Sequence, residues 1–191
     1  PNRWLQNHNC YRLISLAKNG VSIDVSFHGE CMEPTERQVQ AFRRFLEILP
    51  HGKDIELIIL KAHLLIEEQI NAIIYSRLEN PSAIKKARFD FEQRLYLAKA
   101  LMPSSTDERF WVAARKLNEL RNKIAHVTSY SGLSHKIEDF VKSVPADWPG
   151  SNEQETFELS LWFLFVHISG FIENKLDPFM EMCVPEVKIE N

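Results

Sequence analysis

The chain has 191 residues, of which 45% are hydrophobic and 26% charged, and its net charge is −3 at pH 7. These values fit one globular domain with a sizeable core, with or without a short extension, and exclude a disordered chain. The net charge also excludes attraction of nucleic acid by the whole-molecule field, so any RNA or DNA contact has to come from a local patch.

Glycine is sparse, with six in the chain, which disfavours a strand-and-turn architecture and favours long helices. Cys10, Cys31 and Cys183 form no CxxC and no Cys/His cluster, an odd and scattered set that suits a reducing compartment. The most apolar run, Leu159 to Phe171, is shorter than the roughly 20 residues a membrane span needs. The N-terminus carries no basic-then-apolar signal pattern, so a cytoplasmic protein without membrane contact is expected.

Residues 3–18 can form a short helix, closed by the stop signal Asn19-Gly20. Val21 to Phe27 alternates apolar and polar residues and predicts one strand, which needs a partner that the pattern does not supply. Pro34 opens a helix to about Leu49 with Val39, Phe42, Phe45, Leu46 and Leu49 on one face, and Pro50-His51-Gly52 ends it. Asp54 to Leu78 reads as the longest helix. Its Ile55, Ile58, Ile59, Ala62, Ile66, Ile70 and Ile73 make one stripe, which Leu57, Leu60 and Leu64 widen, as expected of a central helix.

Asn80-Pro81-Ser82 turns the chain into a helix that reaches Leu101. Thr106 or Asp107 caps the next, which carries Phe110, Trp111, Ala114, Leu117, Leu120 and Ile124 and ends near His126. A short helix follows from Leu133 to Val144. Ser151 caps the last long helix, to Leu176, and the tail after Pro185 is expected to be loose. The expected fold is therefore all-α: an antiparallel bundle of four to six helices at 31–191, with an N-terminal extension at 1–30 that holds the strand.

The candidate chemistry sits at the end of the helix that carries Trp111. Arg121 keeps its charge at any working pH and offers a planar fork that matches phosphate. His126 can give and take a proton near neutrality. The pair suits metal-free cleavage of a phosphodiester, with no cofactor. The imidazole moves a proton to or from the ribose hydroxyl, and the guanidinium holds charge developing on phosphorus. Five residues of helix turn through about 500°, which leaves the two side chains about 140° apart around the axis. Either the helix ends between them or a second protein surface completes the site.

Spacing alone is weak, because Arg3 and His8 have the same four intervening residues and Arg44 and His51 have six. Only Arg121 and His126 lie at the end of a well-patterned helix, between Leu120, Ile124 and Ala125. The plain structural alternative is a helix C-terminal turn whose cations answer the dipole.

The string Leu117-Asn118-Glu119-Leu120-Arg121-Asn122-Lys123-Ile124-Ala125-His126 resembles the signature of the HEPN superfamily: an Arg, four to six residues, then His, often with a polar residue directly after the Arg. Asn122 fills that last place. The run Lys61-Ala62-His63-Leu64-Leu65-Ile66-Glu67-Glu68 on the preceding long helix is similar to that of bacterial members. The likeness in helical layout covers roughly residues 34 to 176. The resemblance implies a helical bundle that dimerises about a two-fold, so that two Arg/His pairs share one cleft. It implies a metal-independent endoribonuclease, a toxin or defence effector with an antitoxin or defence-system partner. On that reading Arg121 and His126 are catalytic and Asn122 supports their geometry, while Lys123, Arg115 and Lys116 contact the RNA. The alternative is an inactive module of the same fold that dimerises or binds a partner.

Three other features are weaker. His63 and Glu67 share a face of the long helix as a possible ligand or acid/base pair, but no second His stands at metal spacing, so no metal site is expected. Glu67 and Glu68 either reach the cleft or form a solvated edge. Lys85, Lys86 and Arg88, with Arg115 and Lys116, are candidate phosphate contacts.

Overall fold

The computed structural model describes residues 24–26, 35–50, 52–126, 132–144, 152–173 and 186–188. Six α-helices carry most of these residues: α1 (Glu36–Ile48), α2 (Ile55–Arg77), α3 (Phe91–Ala100), α4 (Glu108–His126), α5 (Leu133–Ser143) and α6 (Glu153–Gly170). A 3-10 turn spans Pro81–Ile84, and β1 (Asp24–Ser26) pairs with β2 (Glu186–Lys188). The expected all-α class stands. The helix expected at 3–18 and all three cysteines lie outside the described residues.

Side-chain caps set where the helices begin. Thr35 Oγ1 accepts the Gln38 amide and Gln38 Oε1 accepts the Thr35 amide, a reciprocal pair that starts α1 just after Pro34. Asp54 accepts the Glu56 amide at 2.8 Å to start α2. Asp107 accepts the Arg109 amide at 2.9 Å at the head of α4. Asn152, rather than the expected Ser151, caps α6 by accepting the Glu155 amide at 2.9 Å. Asn and Ser serve equally as caps, so the register of the apolar face decides between neighbours.

The core lies where α2, α4 and α6 meet one another. Helix α1 packs on α6, α3 on α2 and α4, and α5 on α4 and α6. Aromatic rings fill these seams: Phe45 meets Phe165 at 4.6 Å and Phe140 meets Phe157 at 5.4 Å between ring centres. Trp111 and Trp162 are both core residues, as their apolar surroundings predict. On α2 the Ile stripe is buried from Ile58 to Ile73 and partly buried at Ile55, but Leu57 and Leu64 are 41% and 60% exposed and do not widen it. Successive residues turn by about 100°, which puts both leucines on the arc opposite the buried Ile59, Ile66 and Ile73.

Three further expectations change. The helix after Pro81 starts only at Phe91, because Asp90 and Gln93 form a reciprocal cap there. Helix α3 does not run antiparallel to α2. His63 meets Phe91, Glu67 meets Arg94, and Arg77 meets Met102 just past α3, so both numberings rise together. Antiparallel neighbours presuppose a short connection, and the Leu78–Asp90 segment is long enough to carry the chain back. The predicted strand finds its partner in the C-terminal segment. Val25 lies opposite Val187, so the tail expected to be loose after Pro185 holds β2. Among the described residues, no helix is long and apolar enough to cross a membrane.

Candidate functional site

Helix α4 buries Phe110, Trp111, Ala113, Ala114, Leu117 and Leu120, so its inner face is fixed against the core up to the residue before Arg121. Arg121 and Asn122 are exposed, and Arg121 Nη1 donates to Asn122 Oδ1 at 3.0 Å. The polar residue after the Arg therefore holds one edge of the guanidinium. The helix runs unbroken through Arg121 to His126. The side chain of His126 lies outside the described residues. Its backbone alone places its Cα–Cβ bond about 140° round the axis from that of Arg121.

The three cations assigned to RNA contact divide between faces. Arg115 is exposed and seven residues before Asn122, nearly two turns, so the two share a face. Lys116 and Lys123, also seven apart, are partly buried and lie about 100° further round. Lys85, Lys86 and Arg88 are exposed in the connection before α3. Lys85 lines an open polar pocket there with Asn71, Tyr75, Phe89 and Arg94.

One turn before Arg121 on α4, Asn118 meets a buried histidine. His63 on α2 is only 4% exposed, and its ring stacks on Phe91 with centres 4.5 Å apart. Its Nε2 bonds Asn118 Oδ1 on α4 at 3.1 Å, and its Nδ1 stands 4.0 Å from Glu67 Oε2. Burial pushes the His63 pKa below the ordinary histidine value. The Asn118 bond and the Glu67 charge oppose that, and the positive charge of Arg121 adds to it. Glu67 also lies 3.8 Å from Arg94 Nε, whose Nη1 donates to Asn71 Oδ1 at 2.7 Å. Of the two acidic residues weighed together, Glu67 thus turns toward this cluster, while Glu68 is exposed and pairs with Arg44 at 3.1 Å. No group of three His, Cys, Asp or Glu residues gathers as a metal site among the described residues.

No family model, curated protein or solved structure matches this chain. The site is therefore read on its own residues.

Sequence reasoning singled out His63 and Glu67 but missed Asn118, Arg94 and Asn71 as their partners. A signal was present. His63, Glu67 and Asn71 recur every four residues along a helix otherwise rich in Ile and Leu, a polar ladder on one face. The partner helices could not be read from that spacing. Another described histidine, the partly buried His167, sits between Phe163 and Phe110 with ring centres at 4.0 and 4.7 Å, and its Nδ1 donates to Phe163 O at 2.9 Å. It is an aromatic packed at the edge of the core.

Proposed function

We propose that the protein is a metal-independent endoribonuclease of HEPN type, acting as a homodimer whose cleft combines Arg/His pairs from two copies. The observation that carries this reading is the continuity of α4. With the helix unbroken between Arg121 and His126, a second protein surface is needed to bring both onto one target, and in this reading a second copy supplies it. In the proposed reaction the ribose 2′-oxygen attacks phosphorus and the bond to the 5′-oxygen breaks. His126 handles the proton, and Arg121 stabilises the charge on the phosphoryl oxygens, its fork steadied by Asn122. The products carry a 2′,3′-cyclic phosphate and a 5′-hydroxyl. Arg115, Lys116 and Lys123 supply phosphate contacts on α4. A toxin or defence effector held by a partner protein is the role this activity fits.

The outer arc of α2 supports the two-fold. Leu57, Leu64 and Tyr75 are 41%, 60% and 42% exposed there, with Lys61 and Glu68 interleaved on the same arc. Two copies of α2 laid antiparallel about Leu64 would set Lys61 near Glu68 of the other copy and bury Leu64 against its counterpart.

Purified protein incubated with total RNA, beside Arg121→Ala and His126→Ala, tests the assignment. Wild type is expected to cut RNA and leave DNA intact, and each variant to lose cutting. Variants that cut as well as wild type would show the assignment to be wrong. Inactivity of wild type toward every RNA tested, in cells as well as in vitro, would favour the non-catalytic dimerising module.

A further inference from the structure

We infer that His63 is a positioning residue for Arg121: a buried imidazole on α2 that fixes the last turns of α4 and sets the charge environment of the exposed guanidinium. This rests on the ribonuclease reading only for its effect on catalysis; the coupling itself is a property of the fold.

His63 makes contacts that a packing residue would not need. Leu or Phe at this position, between Phe91 and the Ile-rich face of α2, would fill the space without the cost of burying an imidazole. Instead Nε2 is hydrogen-bonded and Nδ1 faces a carboxylate. Asn118 Oδ1 can only accept, so the 3.1 Å contact makes His63 Nε2 the donor and leaves the lone pair of Nδ1 toward Glu67, 4.0 Å away. Glu67 does not answer to His63 alone, because Arg94 of α3 stands against its other oxygen at 3.8 Å. Arg94 is held in turn by Asn71 and by the Phe89 carbonyl at 3.0 Å. The ladder of His63, Glu67 and Asn71 thus ties α2 to α3 through Arg94 and to α4 through Asn118.

Asn118 lies one turn before Arg121, so the bond from His63 fixes the α4 backbone that presents the guanidinium. Arg121 is also close enough for its charge to disfavour protonation of His63. The influence is reciprocal, as linkage requires. A proton on Nδ1 would be welcomed by Glu67 and disfavoured by the charge of Arg121. The charged groups that bear on His63 are Glu67 on its own helix and Arg121 on α4, with Arg94 of α3 acting through Glu67. A charged His63 adds to the positive potential at the Arg121 guanidinium, and a neutral one does not.

The test uses the full chain and two independent readouts. Proton titration of the histidine ring resonances by NMR is followed in wild type, Arg121→Ala and Glu67→Gln. The His63 pKa is expected to rise in Arg121→Ala and to fall in Glu67→Gln. A His63 pKa unmoved by Arg121→Ala would overturn the inference, whether or not the protein cuts RNA. Arg121 is exposed, so this variant does not threaten the fold. The second readout is kcat and KM on RNA against pH for His63→Gln, which keeps a donor for Asn118 but cannot titrate. We expect kcat to drop about tenfold with KM within about twofold, and the acid limb set by His63 to disappear. A variant with the wild-type profile at every pH would overturn the positioning role and leave the ribonuclease standing. If wild type cuts no RNA, the ribonuclease reading fails and the NMR titration alone decides the coupling.

Discussion

Two imidazoles whose protonation is disfavoured by burial should leave a mark on stability. Burial pushes His63 and His167 below the ordinary value of 6.5, so near that pH the unfolded chain binds more protons than the folded one. Their contribution is present above 6.5 and is lost as the pH falls toward the folded values. The urea midpoint should therefore be lower at about pH 5.5 than at about pH 7.5, and His63→Phe and His167→Phe should each flatten that dependence. A midpoint unchanged over the interval would contradict the burial argument. Asp107 does not intrude. The Arg109 hydrogen bond holds its carboxyl below 3.8, so its contribution disappears only in more acid solution. At this scale the sequence exposed residue types and spacing, and little else. The place of Asn122 beside Arg121 came from the resemblance, which puts a polar residue directly after the Arg. The His63–Asn118 bond was not legible, because it joins residues 55 positions apart on two helices, and only tertiary packing chooses such partners.

Helices were legible because their apolar faces and caps agree. Thr35, Asp54 and Asp107 stand where a start signal precedes an apolar period, and α1, α2 and α4 begin there. Where two candidates adjoin, as with Ser151 and Asn152, the local signal is degenerate and packing selects. Replacing Asn152 with Ala should cost about 1 kcal/mol, read as a shift of the denaturant midpoint, while Ser151→Ala should leave it near wild type. Phe140 is fully buried at the seam of α5 and α6, and Phe140→Ala should destabilise by about 3–5 kcal/mol. The same measurement checks both, and a cost below that of the cap would show that α5 is not anchored through this ring. The direction of α3 was illegible for a different reason. The turn signals around Pro81 show that the chain bends, but not that it returns along the length of α2 before the helix begins.

At the scale of the whole molecule, the strand pairing and the α2 surface escaped the sequence reading. Residues 24–26 and 186–188 lie at opposite ends of the chain, and an alternating pattern cannot name so distant a partner. Leu57 and Leu64 looked like core because α2 is apolar over much of its circumference; their exposure makes them candidates for burial against a second copy. Leu64→Glu should convert a dimer to a monomer in sedimentation velocity while leaving the helical circular dichroism unchanged. It should also abolish RNA cutting if the cleft is composite. A dimer that survives this change would place the two-fold elsewhere.

The central claim is a metal-free transesterification driven by Arg121 and His126, and the ends of the RNA fragments test it most directly. With EDTA present, the account predicts cutting by wild type, 2′,3′-cyclic phosphate and 5′-hydroxyl ends, and no such ends from His126→Ala. Fragments with 5′-phosphate ends, or cutting that EDTA abolishes, would contradict it.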